Sequence, residues 1–379
     1  MFFGNVAVAQ NGATQTSYYV AKEMVDRFPR IPAEYEPQRA LMVSLSDWQP
    51  HHSPIFTQVV QKTKGHVDLV VLFNDRKQLQ AAIDWIDQAQ LDASHVHFSQ
   101  IDLDTIWVRD FAPIFRVTKE GSLQALDFYY VGGLRPKDDV LPKKWAELTD
   151  ARYVEAPWTI QGGNLLCNGK SLGVTTNRIF KDNYISFQNT RYSLRQANFE
   201  RRKIVTNALL KLFNLKLLVV LEPLQYEHTQ HCDMFTTFVA DDQVIVASLD
   251  RARDPLNAAI LDRNADRLSK IKIGDRPLQV HRIEIPTRQG TSWSAYTNAI
   301  IANTVVLIPV FDTDSPQLVK QAVSTYQRLL PDHKIETIDM TSMKQLQGEL
   351  HCLSVHLPKE GELPSNAISF SKAKQLVKP

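Results

Sequence analysis

VDLVVLF (Val67–Phe73) is the stretch whose reading decides the fold class. Apart from Asp68 it is an apolar run of strand length rich in valine, as a strand buried on both faces requires. RKQLQAAIDWIDQ (Arg76–Gln88) follows at once, with Leu79, Ala82, Ile83 and Ile86 at helical spacing, and Val96-His97-Phe98 begins another strand. Working outward, the same alternation recurs at Leu215–Leu221, at Ala299–Pro309 with a helix over Gln317–Leu330, and at Ile335–Ile338. Units repeating in this way predict an α/β fold of short sheets separated by helices. Tyr192–Phe213 reads as one long helix through Leu194, Ala197, Ile204, Ala208, Leu209 and Leu212, and is the best candidate for an insertion over the core.

The chain has 379 residues, 44% hydrophobic and 22% charged, which is enough material for a large core. Its 43 basic and 41 acidic residues leave a net charge of +2 without a basic block, so no nucleic-acid partner is expected. Arg201-Arg202-Lys203 reads as a solvated helix face. No apolar run approaches the roughly 18 residues that cross a bilayer, so no membrane partner is expected. Cys167, Cys232 and Cys352 cannot build a disulfide framework, and their odd number leaves at least one free thiol. MFFGNVAVAQ (Met1–Gln10) carries Ala7-Val8-Ala9, which is similar to a signal-peptidase site, but lacks a basic start. The expectation is a cytoplasmic protein, or a secreted or periplasmic one if residues 7–10 end a truncated leader. No linker divides the chain, which gives a tail or leader remnant over 1–30, one catalytic domain over 31–360 and a tail over 361–379.

Four distant segments carry residues that could do chemistry. DTIWVRDFAP (Asp104–Pro113) sets Arg109 and Asp110 behind Trp107, and alone it reads as a salt-bridged surface turn. Gln161-Gly162-Gly163-Asn164 permits a tight turn or a close backbone approach. In EHTQHCD (Glu227–Asp233), the spacing of His231 and Asp233 puts both on one face of a strand and Cys232 on the other. That suits a base and an anion meeting one ligand, and also a polar sheet face with none. His351-Cys352-Leu353-Ser354 offers a lone cysteine, a residue most often buried as a small hydrophobe.

Taken together and in order, these segments resemble the bacterial-type peptidyl-arginine deiminase and agmatine deiminase family of guanidino-group-modifying enzymes, the penteins. The resemblance runs from Pro32 to about Leu357. Pro32–Pro37 (PAEYEP) is similar to that family's PAEWEP opening, Trp107–Pro113 to its W-x-R-D-x-x-P motif, and Gly162-Gly163-Asn164 to its GGN turn. Thr175–Arg178 is similar to the segment after that turn, His231-Cys232-Asp233 to H-x-D, Tyr296-Thr297-Asn298 to YTN, and His351-Cys352 to a terminal HC. The resemblance implies a five-bladed α/β propeller with pseudo-fivefold symmetry and a site on its central axis.

It also implies a hydrolytic deiminase. A guanidinium is planar and keeps its charge in water, so holding it takes carboxylates that pair with its N–H edges. By resemblance Asp110 and Asp233 take that role. Cys352 attacks the central carbon, since sulfur is nucleophilic near neutral pH where serine is not. His231 protonates the departing ammonia and then deprotonates water, which releases a covalent thiouronium as a ureido product. Two carboxylates in a desolvated site are expected to favour the protonated form of His231. Trp107, Arg109, Gly163, Asn164 and Asn298 complete the implied substrate-binding set, and the scheme needs no cofactor or metal. Cys167 and Cys232 are expected in the core.

The substrate is argued from departures. Agmatine and free-arginine deiminases of this family usually carry a Glu before the paired glycines, and Gln161 there looks more like the peptidyl-arginine branch. Gln230 stands where a glycine is common, and Gly348-Glu349-Leu350 replaces a glycine-richer run. Gly132–Asp139 offers Arg135 and Lys137 to a carboxylate, which a peptidyl or free arginine presents and agmatine lacks; alone it reads as an exposed turn. The expected activity is therefore peptidyl-arginine deimination to citrulline, with deimination of agmatine to N-carbamoylputrescine as the alternative. An amidinotransferase would pass the same intermediate to an amine, and a guanidine-binding protein would stop at binding. A zinc hydrolase fits poorly, because His228 and His231 are three apart and no third ligand is signalled. The expected partner is a small or peptide guanidinium, and the sequence admits a homo-oligomer without signalling one.

Overall fold

The structure, a computed structural model, describes residues 18–20, 28–130, 135–184, 194–290, 292–346 and 348–377. The segment Ala7–Ala9 and the glycines of Gly132-Gly133-Leu134 lie outside the described residues.

Five sheets share one connectivity: a first strand antiparallel to a second, then a crossover to a third strand parallel to the second. Blade two is Ile114–Val117, Leu123–Tyr129 and Arg152–Thr159. Blade three is Leu166–Cys167, Leu172–Thr176 and Leu217–Leu221. Blade four is Thr236–Ala240, Gln243–Ser248 and Gln279–Glu284. Blade five is Ile300–Ala302, Val305–Val310 and Lys334–Asp339. Blade one pairs Gln38–Ser44 with Asp68–Phe73 and then Val96–Gln100, all parallel, but its antiparallel strand, Ser354–Pro358, arrives from the far end of the chain. That pairing closes the five repeats into an α/β propeller.

Local chemistry accounts for the elements. Parallel strands need a long crossover, and a helix with one apolar stripe supplies it while covering the sheet. Arg76–Gln88 forms as the pattern predicts; Asp75 caps it by accepting from the Gln78 backbone, and Leu79, Ala82, Ile83 and Ile86 are buried. Asp68–Phe73 buries every residue after Asp68, as its unbroken apolar run requires.

Three expectations are corrected. Ala299–Pro309 is a hairpin of two strands turned at Asn303, which takes a positive φ. The helix Leu194–Phe213 is the crossover of blade three rather than an insertion, since Val205, Leu209 and Phe213 pack with Leu126, Phe128 and Leu218 of blades two and three. The tail expected over 361–379 is also part of the core. Ile368–Ser369 pairs with His97 and Phe98, and the helix Phe370–Val377 buries Ala373 and Val377. Near the other end, Tyr18–Val20 pairs in parallel with Ile271–Ile273. No helix among the described residues is long and apolar enough to cross a membrane.

Candidate active site

Each blade delivers its chemistry from the same place, the segment entering its first strand. The helical turn Val108–Phe111 leads into blade two with Asp110, and the turn Gly162–Asn164 leads into blade three. His231 and Asp233 precede blade four, Tyr296–Asn298 precedes blade five, and the turn His351–Leu353 leads Cys352 into the closing strand of blade one. His231 and Asp233 are therefore not on one strand face as the spacing suggested; they lie in an irregular turn entered at positive φ by Tyr226 and Gln230. Buried Glu227 holds that turn, accepting from the backbone and hydroxyl of Thr229 and from the His231 backbone.

The paired glycines stand between the two carboxylates. The Asp233 backbone N–H donates to the Gly163 carbonyl at 3.2 Å, and the Gly163 backbone bonds to Asp110. A Cβ on Gly163 would lie 2.6 Å from His231 Nδ1, 2.9 Å from Asp233 Oδ2 and 3.2 Å from Asp110 Oδ1, so only glycine leaves this space open. His231 Nδ1 is 3.6 Å from Asp110 Oδ1. Asp110 Oδ1, Asp233 Oδ1 and His231 Nδ1 are all buried without a hydrogen-bond partner. The Asp110 side chain keeps 14% of its surface exposed against 2% for Asp233 and none for His231, which puts the mouth of the site beside Asp110.

Cys352 is buried, with its sulfur 3.7 Å from both Asn298 side-chain atoms Nδ2 and Oδ1. The Asn298 Oδ1 also accepts from the His351 backbone at 3.0 Å, so Asn298 fixes the turn that carries Cys352. Burial, then Asp233 and Asp110, push the thiol well above its ordinary range. The expectation of a protonated His231 is reversed. Burial lowers it to about 4 against the pull of Asp233, with Arg178, His351 and His228 adding to the lowering. Its Nε2 is 2.7 Å from Gln161 Oε1, an N–H donating to an amide oxygen, which leaves Nδ1 as the acceptor facing Asp110.

Other expected site residues are dispersed. Arg109 is corrected from substrate binding to support: it is buried, and its guanidinium donates to Glu34 at 2.7 Å, His356 Nδ1 at 3.1 Å and the His351 carbonyl at 3.3 Å. Trp107 packs its ring over Gly348, where any side chain would collide with it. Asn164 accepts from the Thr176 backbone and the Thr175 hydroxyl, and its Nδ2 is buried and unpartnered. Arg135 donates to the Tyr130 hydroxyl at 3.2 Å. Tyr130 in turn packs against Phe111 with the rings tilted at 57° and is pushed up to about 12 by burial and then Asp110, so Arg135 stands near the mouth. Lys137 is exposed and lies 3.8 Å from Asp102. Asp138, in the same segment, accepts from Thr105 and from the Asp104 backbone and so anchors the approach to Trp107. Cys167 and Cys232 are buried in apolar clusters.

Residues that motif reading quoted without a role prove central. Glu34, from PAEYEP, meets Arg109, His351 and His356. Arg178 donates to the Thr229 carbonyl and pairs with Asp182. A charged residue inside a quoted motif was the signal available for each. Among the described residues, Glu34, His351 and His356 are close enough to suggest a metal site, but the cation already against Glu34 is Arg109.

A model of the Porphyromonas-type peptidyl-arginine deiminase family matches residues 30–358. The chain is 23% identical to the agmatine deiminase of Pseudomonas fluorescens (strain SBW25), over 72% of this chain and 79% of that one. Among solved structures, it superposes on an agmatine deiminase of Enterococcus faecalis with a TM-score of 0.70 at 21% identity, covering 87% of this chain and 96% of that one. The agmatine deiminase of C. jejuni superposes with a TM-score of 0.70 at 19% identity and the same coverage. With the match spanning every blade, this chain belongs to the family of Porphyromonas-type peptidyl-arginine deiminases.

Proposed function

We propose that this protein hydrolyses a guanidinium to a ureido group through a covalent intermediate on Cys352. The meeting of Asp110, Asp233, His231 and Cys352 from three blades carries the reading. Asp110 Oδ1, Asp233 Oδ1 and His231 Nδ1 are buried acceptors without donors, and a guanidinium is a planar set of donors with the complementary charge.

Burial keeps Cys352 a thiol and His231 neutral. A cation seated between the carboxylates cancels the field that holds the thiol proton in place. That proton passes to His231, and sulfur bonds to the guanidinium carbon. The carbon–nitrogen bond then breaks, and the nitrogen leaves as ammonia carrying the proton from His231. Water loses a proton to His231 and adds to the thiouronium carbon. The carbon–sulfur bond breaks, the thiol is restored, and the remaining proton converts ammonia to ammonium.

Agmatine is the favoured substrate, which reverses the preference drawn from Gln161. Curated relatives that align over most of their length are named agmatine deiminase or putative agmatine deiminase, and Lys137 is engaged with Asp102 at the surface. Arg135, beside the mouth, supports a second reading, an arginine whose carboxylate it would meet. The test is ammonia release from agmatine, free arginine and a peptide ending in arginine, assayed in parallel. Agmatine is expected to be fastest, and a preference for the peptide would move the assignment to peptidyl-arginine. Cys352→Ala is expected to lower turnover by about 10⁴-fold or more; retained activity would remove the cysteine from the mechanism.

A further inference from the structure

Arg109, Glu34, His351 and Asp233 form a row in which charge alternates. Arg109 Nη1 donates to Glu34 Oε1 at 2.7 Å, His351 Nε2 meets both Glu34 oxygens at 2.8 and 2.9 Å, and His351 Nδ1 meets Asp233 Oδ2 at 2.8 Å. An imidazole with a carboxylate at each nitrogen has to carry both protons, because an unprotonated nitrogen would set its lone pair against an oxygen's. His351 is therefore an imidazolium, and although burial and Arg109 oppose this, Glu34 and Asp233 raise its proton affinity. His356, close by, is fixed the other way. Its Nε2 donates to the Ile301 carbonyl at 2.9 Å, and its Nδ1 lies 3.1 Å from Arg109 and 3.3 Å from Glu34 Oε1; burial outweighs the pull of Glu34 and lowers its proton affinity, so it is neutral. At the end of the row Asp233 keeps one buried oxygen, Oδ1, without a partner.

We propose that Glu34 and His351 are positioning residues: the row orients the Asp233 carboxylate and balances its charge, and the substrate guanidinium takes the next cationic place after Asp233. The inference rests on the guanidinium reading of the site. It explains why Arg109, conspicuous in sequence, sits at the opposite end from the substrate. Asp233 is also faced by Asp110, His231 and Cys352, and more distantly by Glu227 and Glu349. Arg178 acts on Asp110 and His231 from blade three. Without Glu34 the His351 proton loses its counter-charge. The two facing carboxylates are then left to share a proton that an arriving cation must expel.

The test is calorimetric titration of agmatine into full-length Cys352→Ala protein, with and without Glu34→Gln, from pH 6 to 9. Glu34→Gln is expected to weaken binding at pH 7 by at least about tenfold, the factor that one unit of proton affinity represents, with partial recovery at pH 9. Unchanged binding, or a loss equal at every pH, would overturn the proposal, the second outcome being that of a merely structural contact. Should Glu34→Gln fail to fold, nitrogen NMR of His351 in the unsubstituted protein decides: two protonated ring nitrogens at pH 8 are expected, and one overturns it. If Cys352→Ala binds neither agmatine, arginine nor an arginine peptide while His351 carries both protons, the guanidinium reading fails and the ionised row stands.

Discussion

Asp110 and Asp233 enclose the same space and are held in opposite ways. Asp233 is buried at the end of a charged row, with His351 bonded to one oxygen. Asp110 stands at the mouth, and burial and then Asp233 push its carboxyl up to about 7 against Arg109, Arg178 and the Gly163 backbone. One acid is wired into the fold, and the other is left incomplete until a cation arrives. A guanidinium site is thus more than a pair of anions: two unsupported carboxylates this close would share a proton and lose their attraction for the ligand.

The strongest way to break this contrast is to remove each acid in turn. Asp233→Asn is expected to lower kcat/KM by about a hundredfold or more and to cost about 3–5 kcal/mol of stability, because it leaves the His351 charge half-paired and buried. Urea unfolding checks the second effect, and a protein as stable as the wild type would show that the row does not depend on Asp233. Asp110→Asn is expected to lower kcat/KM by about a hundredfold while adding about 1–2 kcal/mol of stability at pH 8. The sign follows from its raised proton affinity. Between the ordinary carboxylate range and about 7 the folded state binds more protons than the unfolded, so wild-type stability falls as pH rises through that window. Asparagine abolishes that slope, and a lower Tm than wild type at pH 8 would mean that Asp110 is as structural as Asp233.

Smaller effects sharpen the picture on the Asp110 side. Gln161→Glu places a carboxylate against His231 Nε2, opposing the burial that holds this ring down to about 4. The acidic limb of the kcat profile is expected to move up by about one pH unit. An unmoved limb would show that Gln161 does not set the proton affinity of His231. Lys137→Ala is expected to change kcat/KM for any guanidine by no more than about twofold, as for other exposed pairs; a selective loss with arginine would return Lys137 to the site.

Much of this was legible before any coordinates. Apolar runs such as Leu69–Phe73 name buried strands because parallel strands have no wet face, and the motif order names the four converging residues. The helix Leu194–Phe213 was misjudged because periodicity reports an apolar stripe without saying which sheet it covers. The turn holding His231 and Asp233 was misread as a strand because a spacing of two is all that alternation requires, and positive φ at Tyr226 and Gln230 leaves no mark on the pattern. Arg109 was assigned to the substrate because an arginine beside an active-site acid looks the same in sequence whether it faces ligand or core. Partner distances alone separate the two, and the neutral state of His231 likewise depends on a depth of burial that sequence does not encode.

The closing strand carries a consequence for how the protein is made. Ser354–Pro358 completes blade one by joining Gln38–Ser44, and Cys352 is delivered by the turn immediately before it. A chain still emerging from the ribosome can hold Asp110, His231 and Asp233 long before it holds Cys352. When the thiol does arrive, it comes with the pairing that seals the ring. Cys352 is therefore the last of the converging residues that synthesis installs, and a chain interrupted before that seam lacks both the thiol and the strand that closes the ring.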